Sequence, residues 1–497
     1  MNVTLKKTDP VVFKTPALAV FIFEEDQADP ARRPEWSGLK KWIEPRLRDG
    51  GFKAKHLDVL TLFPESASGP ERIILVGLGS EKEYDAQKMR QATAKASQTA
   101  RDLSLRTAAL LLPPVGPGLA DHCLLIETAA LGARLGMYSF LELKTKETDK
   151  KKPLASLTLI PAQTEKRANV RTALNTAKIT AEAIFFARDL VNRPGNLLYP
   201  EILAREAKKM AQAFGLNIQV LDMASAKKKG LGAFLGVAQG SARPGRVIII
   251  EYQGADPGTK PVALVGKAIT FDSGGLSLKP AENMGQMKTD MAGGAVVLGV
   301  LSAAAQLKLP VNLVGIVPAA ENLPDGGAYR PGDILASMSG QTIEINSTDA
   351  EGRLILADGL SLALEYKPQT MIDIATLTGA CVVALGEKCA GLMGNDQNLI
   401  DHLIQSGQAT GERVWQLPLF DDYFEGLKSE VADFKNSGSR SAGTITAALF
   451  LKQFVSQTSW AHLDIAGPAR TDQATPDTPT GATGFGVHLL LNYLRRR

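Results

Sequence analysis

The sequence predicts an α/β protein with a smaller N-terminal α/β domain and a larger second α/β domain, whose mostly parallel central sheet is flanked by helices. Three observations support this prediction. The chain has 497 residues, more than one ordinary hydrophobic core organises. Short β-rich runs alternate with helical stretches, which is typical of α/β folds. One long segment with helical spacing of apolar residues separates the first third of the chain from the rest.

The predicted N-terminal domain covers residues 1–163. Its β-rich runs lie at 17–23, 72–76 and 157–160, and a helical stretch lies at 86–104. Gly77 and Gly79 follow the second run and are similar to the start of a dinucleotide-binding turn, but the third glycine of that motif is missing. We therefore predict a self-contained α/β layer rather than a dinucleotide-binding unit.

A connecting helix is predicted over residues 164–192, because Ala, Lys and Glu are frequent there and apolar residues recur at helical spacing. The sequence Asn-Arg-Pro-Gly at 192–195 ends this pattern. Residues 193–497 then form the second domain. Its strand-like runs lie at 247–250, 263–265, 313–317, 342–345 and 371–374. Their alternation with helical periods predicts a mostly parallel sheet, with a ligand site at the carboxyl ends of its strands.

The composition excludes several classes of protein. With 44% hydrophobic and 22% charged residues, the chain is typical of a soluble globular protein. A net charge of +4 gives only weak support for a nucleic-acid partner, which the basic runs at 150–152, 227–229 and 495–497 leave possible. Three cysteines without CxxC spacing indicate reduced thiols, and we expect no apolar run of membrane-spanning length. These features predict a cytoplasmic protein without a membrane partner.

The most informative segment is Asn-Ser-Thr-Asp-Ala-Glu-Gly-Arg-Leu at 346–354, which places two carboxylates and a guanidinium at a strand-to-helix junction. An upstream segment, 266–294, has the same order of strand, loop and helix. The candidate site residues are Lys267, Asp272, Lys279 and Asp290 upstream, and Asp349, Glu351 and Arg353 in the first segment. Their joint occurrence predicts a two-metal hydrolase.

Charge balance supports this hypothesis. Three aspartates and a glutamate at strand ends of one sheet would bring four negative charges into a crevice, which is unfavourable unless cations such as two divalent ions neutralise them. Oxygen ligands favour magnesium or manganese and do not exclude zinc. Lys267 would ligate only as a neutral amine, so its pKa of ~10.4 would have to fall by about 3 units, at a cost of ~4 kcal/mol. Lys279 and Arg353 would stay charged and face the reaction centre.

Each candidate residue also has an ordinary structural interpretation. Thr348 and Glu351 have the spacing of a helix capping box, and Asp290 has the position to cap a helix that begins near Met291. Asp272 begins a turn-like Asp-Ser-Gly-Gly sequence, and single lysines are usually exposed. Two other functions also stay open at this point, a two-metal phosphohydrolase and a nucleic-acid-binding or regulatory protein.

These segments closely resemble those of the leucyl aminopeptidase (cytosol aminopeptidase) family. The family signature reads Asn-Thr-Asp-Ala-Glu-Gly-Arg-Leu, and residues 266–280 match a second motif, Gly-Lys-x-x-x-x-Asp-Ser-Gly-Gly-Leu-x-Leu-Lys-Pro. Further matches lie at 192–196, 375–380, 439–444 and 460–467. The resemblance covers roughly residues 165–497 and is loose in the first domain. It departs at Ser347, where the family has asparagine, and this change affects the expected loop conformation but no expected ligand.

The resemblance implies a two-metal aminopeptidase that removes the N-terminal residue of peptides through a metal-activated water. The two ions would be manganese or zinc. Lys267 and Asp290 would bind one ion, Asp349 would bind the other, and Asp272 and Glu351 would bind both. Arg353 would hold a bicarbonate ion that shuttles protons, while Lys279 and a metal would stabilise the tetrahedral intermediate.

The resemblance also implies a substrate cleft and an assembly. Met287, Thr376, Leu377 and Gly379 would line the cleft, and an apolar pocket that contains a methionine favours leucine-like first residues. The free amino group of the substrate would lie near Asp290, which confines cleavage to the N-terminal residue. The family further implies a homohexamer that acts on peptide substrates.

Overall fold

The structure is a computed structural model that describes residues 1–29, 32–65, 69–116, 119, 121–146, 152–162 and 166–497. Lys150 and Lys151 of the first basic run, and residues 164 and 165 of the predicted connecting helix, lie outside the described residues. The chain divides into two compact units. The first comprises Met1–Glu182 with Gln473–Pro479, and the second comprises Ala183–Asp472 with Thr480–Arg497.

Among its described residues, the first unit contains a six-stranded sheet, three helices and the first part of a long fourth helix. The strands and the first three helices are β1 (Asn2–Leu5), β2 (Leu18–Phe23), β3 (Val59–Leu62), β4 (Ile73–Gly79), β5 (Thr107–Leu111), β6 (Ser156–Ile160), α1 (Lys40–Arg48), α2 (Ala86–Asp102) and α3 (His122–Leu135). The strand order is β1-β6-β5-β2-β4-β3, and only the β3–β4 pair is antiparallel. Gly77 and Gly79 lie within β4, where a Cβ on Gly77 would stand 2.0 Å from the Lys55 carbonyl oxygen. The dinucleotide turn is therefore not formed, and Gly77 allows close packing of backbone.

The helix predicted between the domains is α4 (Arg167–Asn192), a single helix of 26 residues. It ends where the Asn-Arg-Pro-Gly sequence begins, because proline cannot continue a helix. The division between the two units falls inside this helix, after Glu182. Apolar side chains of α4 such as Ala177, Ile184 and Val191 are buried, as its helical spacing predicts.

The second unit is larger and contains fourteen strands and nine helices within the part of the chain that the structure describes. The strands are β7 (Asn217–Leu221), β8 (Arg246–Gln253), β9 (Val262–Gly266), β10 (Ala268–Asp272), β11 (Asn312–Asn322), β12 (Ile334–Ala336), β13 (Thr342–Glu344), β14 (Thr370–Ala375), β15 (Ala390–Gly394), β16 (Val414–Gln416), β17 (Phe434–Lys435), β18 (Ser459–Asp464), β19 (Arg470–Thr471) and β20 (Gly481–Ala482). The helices are α5 (Pro200–Phe214), α6 (Met223–Lys228), α7 (Gly232–Ala238), α8 (Ala292–Leu307), α9 (Glu351–Leu364), α10 (Gly379–Leu385), α11 (Gln397–Thr410), α12 (Gly443–Lys452) and α13 (Val487–Arg495).

The central sheet of the second unit confirms the predicted fold class. Its order is β16-β15-β18-β14-β9-β11-β8-β7, with β10 paired to the end of β11. The inner pairs β18–β14, β14–β9 and β9–β11 are parallel, whereas β11–β8, β8–β7 and β15–β18 are antiparallel. Every residue of β9, β11 and β14 is buried, because α8 and α9 pack on this part of the sheet.

The prediction that the strand at 342–345 belongs to the central sheet is wrong. β13 pairs with β12 and β17 in a separate three-stranded sheet. Only Ile343 of its three residues is buried, and the flanking Thr342 and Glu344 are half-exposed. A strand inside the central sheet is covered on both faces and needs apolar residues on both, which this polar, apolar, polar sequence does not supply.

The prediction that no apolar run reaches membrane-spanning length is also wrong. The stretch Met284–Leu307, which includes α8, has 24 residues and is long and apolar enough to span a membrane. In the structure, 83% of its apolar window is buried inside the protein, as in the core helix of a soluble protein. α8 is rich in Ala and Gly, so the helix and the sheet pack closely together. Cys381 and Cys389 are free thiols.

Candidate metal centre

Lys267 is the single residue between β9 and β10, and hydrogen bonds to β14 and α8 hold its backbone. Its N–H donates to the Ile374 carbonyl of β14 (3.1 Å), and its carbonyl accepts from Gly294 of α8 (2.8 Å). The side chain is 4% exposed, and its Nζ lies 2.8 Å from Asp290 Oδ2 and 2.9 Å from Glu351 Oε1. The sheet and two helical segments therefore converge on one buried amine.

Asp272 ends β10, and its carboxylate faces the loop that follows. Its Oδ1 accepts from the Gly274 N–H (2.9 Å), and its Oδ2 lies 2.8 Å from Lys279 Nζ. Gly274 and Gly275 have φ of 88° and 65°, which turns the chain back so that Lys279 reaches the carboxylate. The same Nζ pairs with Asp349 Oδ1. The turn expected here is formed, and it serves to bring Lys279 between two aspartates.

Asp290 lies in the helical turn Met284–Met291, just before α8. The N-cap of α8 is Met291, and no side chain caps that helix. The Asp290 carboxylate instead accepts a hydrogen bond from Thr376 Oγ1 (2.7 Å) and lies beside the Lys267 ammonium. The interpretation of Asp290 as a helix cap is therefore wrong.

Glu351 is the first residue of α9, and the predicted capping box is not formed either. The N-cap is Ala350, without a side-chain hydrogen bond. The Thr348 hydroxyl donates to the Gly274 carbonyl (2.6 Å) and accepts from the Ser277 N–H (2.7 Å). Thr348 therefore joins the two motif segments, and the Glu351 carboxylate is left to face the buried amine.

Three of the four acidic residues form a group of the size that a metal ion requires. One carboxylate oxygen from each of Asp272, Asp290 and Glu351 lies within 4.8 Å of the others, and all three residues are buried. Asp349 stands at the rim with 37% of its side chain exposed. Only Asp272 ends a strand of the central sheet, so the expectation that all four acids lie at strand ends of one sheet is wrong. Four carboxylates around two ammonium groups leave a deficit of positive charge, which fits cation binding.

The pKa shifts follow from burial and from this charge pattern. Burial raises the pKa of Asp272 to about 6, and Glu351 adds to the shift while the lysines oppose it. Burial also raises the pKa of Asp290. Burial lowers the pKa of Lys267, but Asp290, Glu351 and Asp272 together raise it above its ordinary value. Lys267 is thus a cation in the metal-free site. It can bind a metal as a neutral amine only if the positive charge of the metal ions replaces its own charge beside the acids.

Arg353 is buried in the first turn of α9, with 8% of its surface exposed, and it does not line the cavity described below. Its Nη1 donates to the Asn436 carbonyl (2.9 Å), and its Nε has no hydrogen-bond partner among the described residues. Burial lowers the pKa of this guanidinium to about 10, although Glu351, Asp464 and Asp349 oppose that shift. A buried guanidinium with an unsatisfied donor is a site that a small anion would stabilise.

A cavity of ≈ 370 Å³ opens over the acidic group. The predicted substrate-binding residues all line it, namely Met287, Thr376, Leu377 and Gly379. The predicted ligands and Lys279 line it as well, so the structure brings both predicted sets together around one cavity. A buried aspartate, Asp464, supports the wall by accepting from the Leu377 N–H (3.1 Å) and from Thr378 Oγ1 (2.7 Å).

Sequence reasoning missed two fully buried asparagines beside the site, Asn322 and Asn436. The Asn436 Oδ1 accepts from the Asn346 N–H (2.8 Å), and its Nδ2 donates to the Ser347 carbonyl (2.7 Å). The loop that contains the departure from the family signature is therefore held by another segment. Asn436 lies in no motif, whereas Asn322 shows one signal, a polar residue that ends an otherwise apolar strand.

Comparisons with known proteins agree with this geometry. The profile of the cytosol aminopeptidase family, catalytic domain, matches residues 185–491, and that of the family's N-terminal domain matches residues 19–147. Probable cytosol aminopeptidases of Geobacter sp. (strain M21) and Syntrophotalea carbinolica are 46% and 43% identical over 497 and 498 residues, which is 100% of this chain and of each relative.

Two solved structures are also similar. The bottromycin maturation enzyme BotP in complex with Mn is 36% identical, with a TM-score of 0.85 over 97% of this chain and 99% of that chain. A tomato leucine aminopeptidase mutant is 33% identical, with a TM-score of 0.89 over 100% of this chain and 97% of that chain.

Proposed function

This chain belongs to the cytosol aminopeptidase family, and from that premise we propose that it is a two-metal enzyme that removes leucine-like residues from the N termini of peptides. Family membership establishes a metalloexopeptidase that hydrolyses the N-terminal peptide bond. The proposal adds the number of ions, their ligands, the proton carrier and the substrate preference. The observation that carries it is the buried group of three carboxylates, two of which pair with the Lys267 amine.

The ligand set is the one that the family resemblance implies, and the close grouping of Asp272, Asp290 and Glu351 supports it. Lys267 and Asp290 would hold one ion, Asp349 the other, and Asp272 and Glu351 both. When bound, two divalent cations supply polarisation of the scissile carbonyl and lower the pKa of the attacking water. The Mn complex of the similar BotP enzyme supports manganese, and the oxygen-rich ligands also accept zinc.

The surrounding residues bind and orient the peptide. The Lys279 ammonium would face the oxygen of the scissile carbonyl, where negative charge develops during the reaction. The Asp290 carboxylate, oriented by the Thr376 hydroxyl, would lie near the free amino group of the substrate. Met287 and Thr376 would line the pocket for the first side chain, and the backbone around Leu377 and Gly379 would line the rest of the cleft. Gly379 leaves open space for the peptide, because no residue beyond its own helix packs within 4 Å of where its Cβ would stand.

Metal removal and substrate comparison test this proposal together. Chelation followed by dialysis is expected to remove hydrolysis of leucine p-nitroanilide, and added Mn²⁺ or Zn²⁺ is expected to restore it. The leucine substrate should exceed the glycine substrate in kcat/KM by roughly 10–200-fold, because an apolar pocket discriminates by about 1–3 kcal/mol. Activity that survives chelation, or equal cleavage of N-acetyl-leucine p-nitroanilide, would contradict the proposal.

The buried Arg353 guanidinium supports bicarbonate as the proton carrier, since its unpaired Nε would donate to an anion. Bicarbonate would supply a base and then an acid beside the scissile bond. In degassed buffer we expect added bicarbonate to raise kcat of the wild-type enzyme but not of Arg353→Ala. The variant should lose about 10²–10⁴-fold in kcat, as removal of a general acid–base does. It should keep its full Mn²⁺ content, measured by atomic absorption, and loss of metal would show instead that Arg353 only supports the ligands.

We also propose that the enzyme is cytoplasmic and assembles as a homohexamer. Large apolar side chains are exposed on the second unit, among them Val383, Trp415, Phe420 and Val431. Large exposed apolar side chains support the proposal that this surface is buried against other subunits.

A further inference from the structure

Asn322, the last residue of β11, lies between carboxylates from two different segments. It is fully buried, and its Nδ2 lies 2.9 Å from Asp272 Oδ1 and 3.4 Å from Glu351 Oε2. The same nitrogen lies 2.9 Å from the Thr348 carbonyl oxygen. One amide group therefore connects the end of β10, the loop before α9 and the first residue of α9.

The orientation of this amide follows from its neighbours. All three groups around Nδ2 are acceptors, so only the donor end of the side chain is compatible with them. The opposite end, Oδ1, is buried without a hydrogen-bond partner among the described residues. A buried oxygen without a hydrogen bond costs free energy. The amide nevertheless keeps its donor end on the two carboxylates and leaves its oxygen unsatisfied.

The backbone of Asn322 holds the same region. Its carbonyl accepts from the Ser273 N–H (3.0 Å) and from Ser273 Oγ (2.8 Å), directly after Asp272. The main chain and the side chain of one residue thus restrain the position of the Asp272 carboxylate. Two negative carboxylates repel each other, and a donor between them opposes their separation.

We infer that Asn322 is a positioning residue for metal binding, which holds Asp272 and Glu351 at the separation at which both carboxylates bind the same ions. The inference rests on the proposed function, in which these two carboxylates are shared between two cations. Hydrogen-bond donors that orient ligating carboxylates typically change metal affinity by 10–100-fold when they are removed.

Asn312 provides a matched control because it is a buried asparagine at the other end of the same strand. Its Oδ1 accepts from the Ala255 N–H (3.0 Å), and its Nδ2 donates to the Asp256 and Thr259 carbonyls, each at 2.9 Å. Replacement of either asparagine by alanine removes three hydrogen-bonding contacts of a buried amide. Only Asn322 contacts the acidic group.

The experiment is calorimetric titration of the metal-free, full-length chain with Mn²⁺, together with urea unfolding of each variant. We expect Asn322→Ala to bind Mn²⁺ about 10–100-fold more weakly than wild type, and Asn312→Ala to bind it within about twofold of wild type at a comparable loss of stability. If Asn322→Ala does not fold, Asn322→Ser, which keeps one donor, should still show weaker binding than Asn312→Ala. Equal affinities of the Asn322 and Asn312 variants would overturn the inference alone, whereas a wild-type chain that binds no Mn²⁺ would overturn the proposed function as well.

Discussion

Lys267→Ala is expected to lower kcat/KM for leucine p-nitroanilide by more than about 100-fold, since loss of a ligand should exceed the 10–100-fold effect of a residue that only orients ligands. The substitution should also destabilise the metal-free protein. Asp290 and Glu351 lie 2.8 Å and 2.9 Å from the Lys267 amine, and removing one partner of a buried ion pair costs about 3–5 kcal/mol. Kinetics in the presence of Mn²⁺ measure the first effect. Urea unfolding in the presence of a chelator measures the second.

Added Mn²⁺ should recover less stability in Lys267→Ala than in wild type, because loss of a ligand weakens Mn²⁺ binding and the stabilisation by a bound cation falls with its affinity. Lys260→Ala, at an exposed position, is the control and should change neither quantity. A Lys267→Ala variant with wild-type activity would show that the amine is only a counter-ion to the acids.

Gly352→Ala is the second substitution with a large expected effect, although it adds only one methyl group. A Cβ at this position would lie 2.4 Å from Lys267 Cε and 2.6 Å from Lys267 Nζ. The amine cannot move away from a Cβ here without losing its contacts with Asp290 and Glu351. We expect Mn²⁺ affinity to fall by more than about 10-fold and activity with it, as displacement of a ligand disturbs the site more than loss of an orienting partner.

Gly359→Ala in the same helix is a suitable comparison for Gly352→Ala. Its Cβ would meet Val265 Cγ1 at 3.0 Å, away from the acidic group. We expect this variant to lose some stability through overpacking while it retains Mn²⁺ affinity. If titration shows the same Mn²⁺ affinity for Gly352→Ala and Gly359→Ala, the glycine of the signature serves helix packing and not the metal centre.

The two motifs contain enough local information to predict residues that meet at one cavity, but not their geometry. Asp272 and Lys279 are joined by a turn that the two glycines make possible, and this is visible in the sequence. The capping interpretations of Asp290 and Glu351 were wrong because helix caps are judged from neighbours along the chain. In the folded protein, both carboxylates pair with Lys267, which is distant in sequence from Glu351.

The sequence by itself determined the α/β class, the long helix that ends at Asn192, the family and several residues that converge on the cavity. It did so because apolar periodicity, glycine turns and a long motif are properties of neighbouring residues. Only the tertiary structure decided that β13 leaves the central sheet, that α8 is a core helix and that Asn322 joins two carboxylates. These features depend on which strand ends and loops meet in space, and that is set by the packing of the whole unit rather than by any single segment.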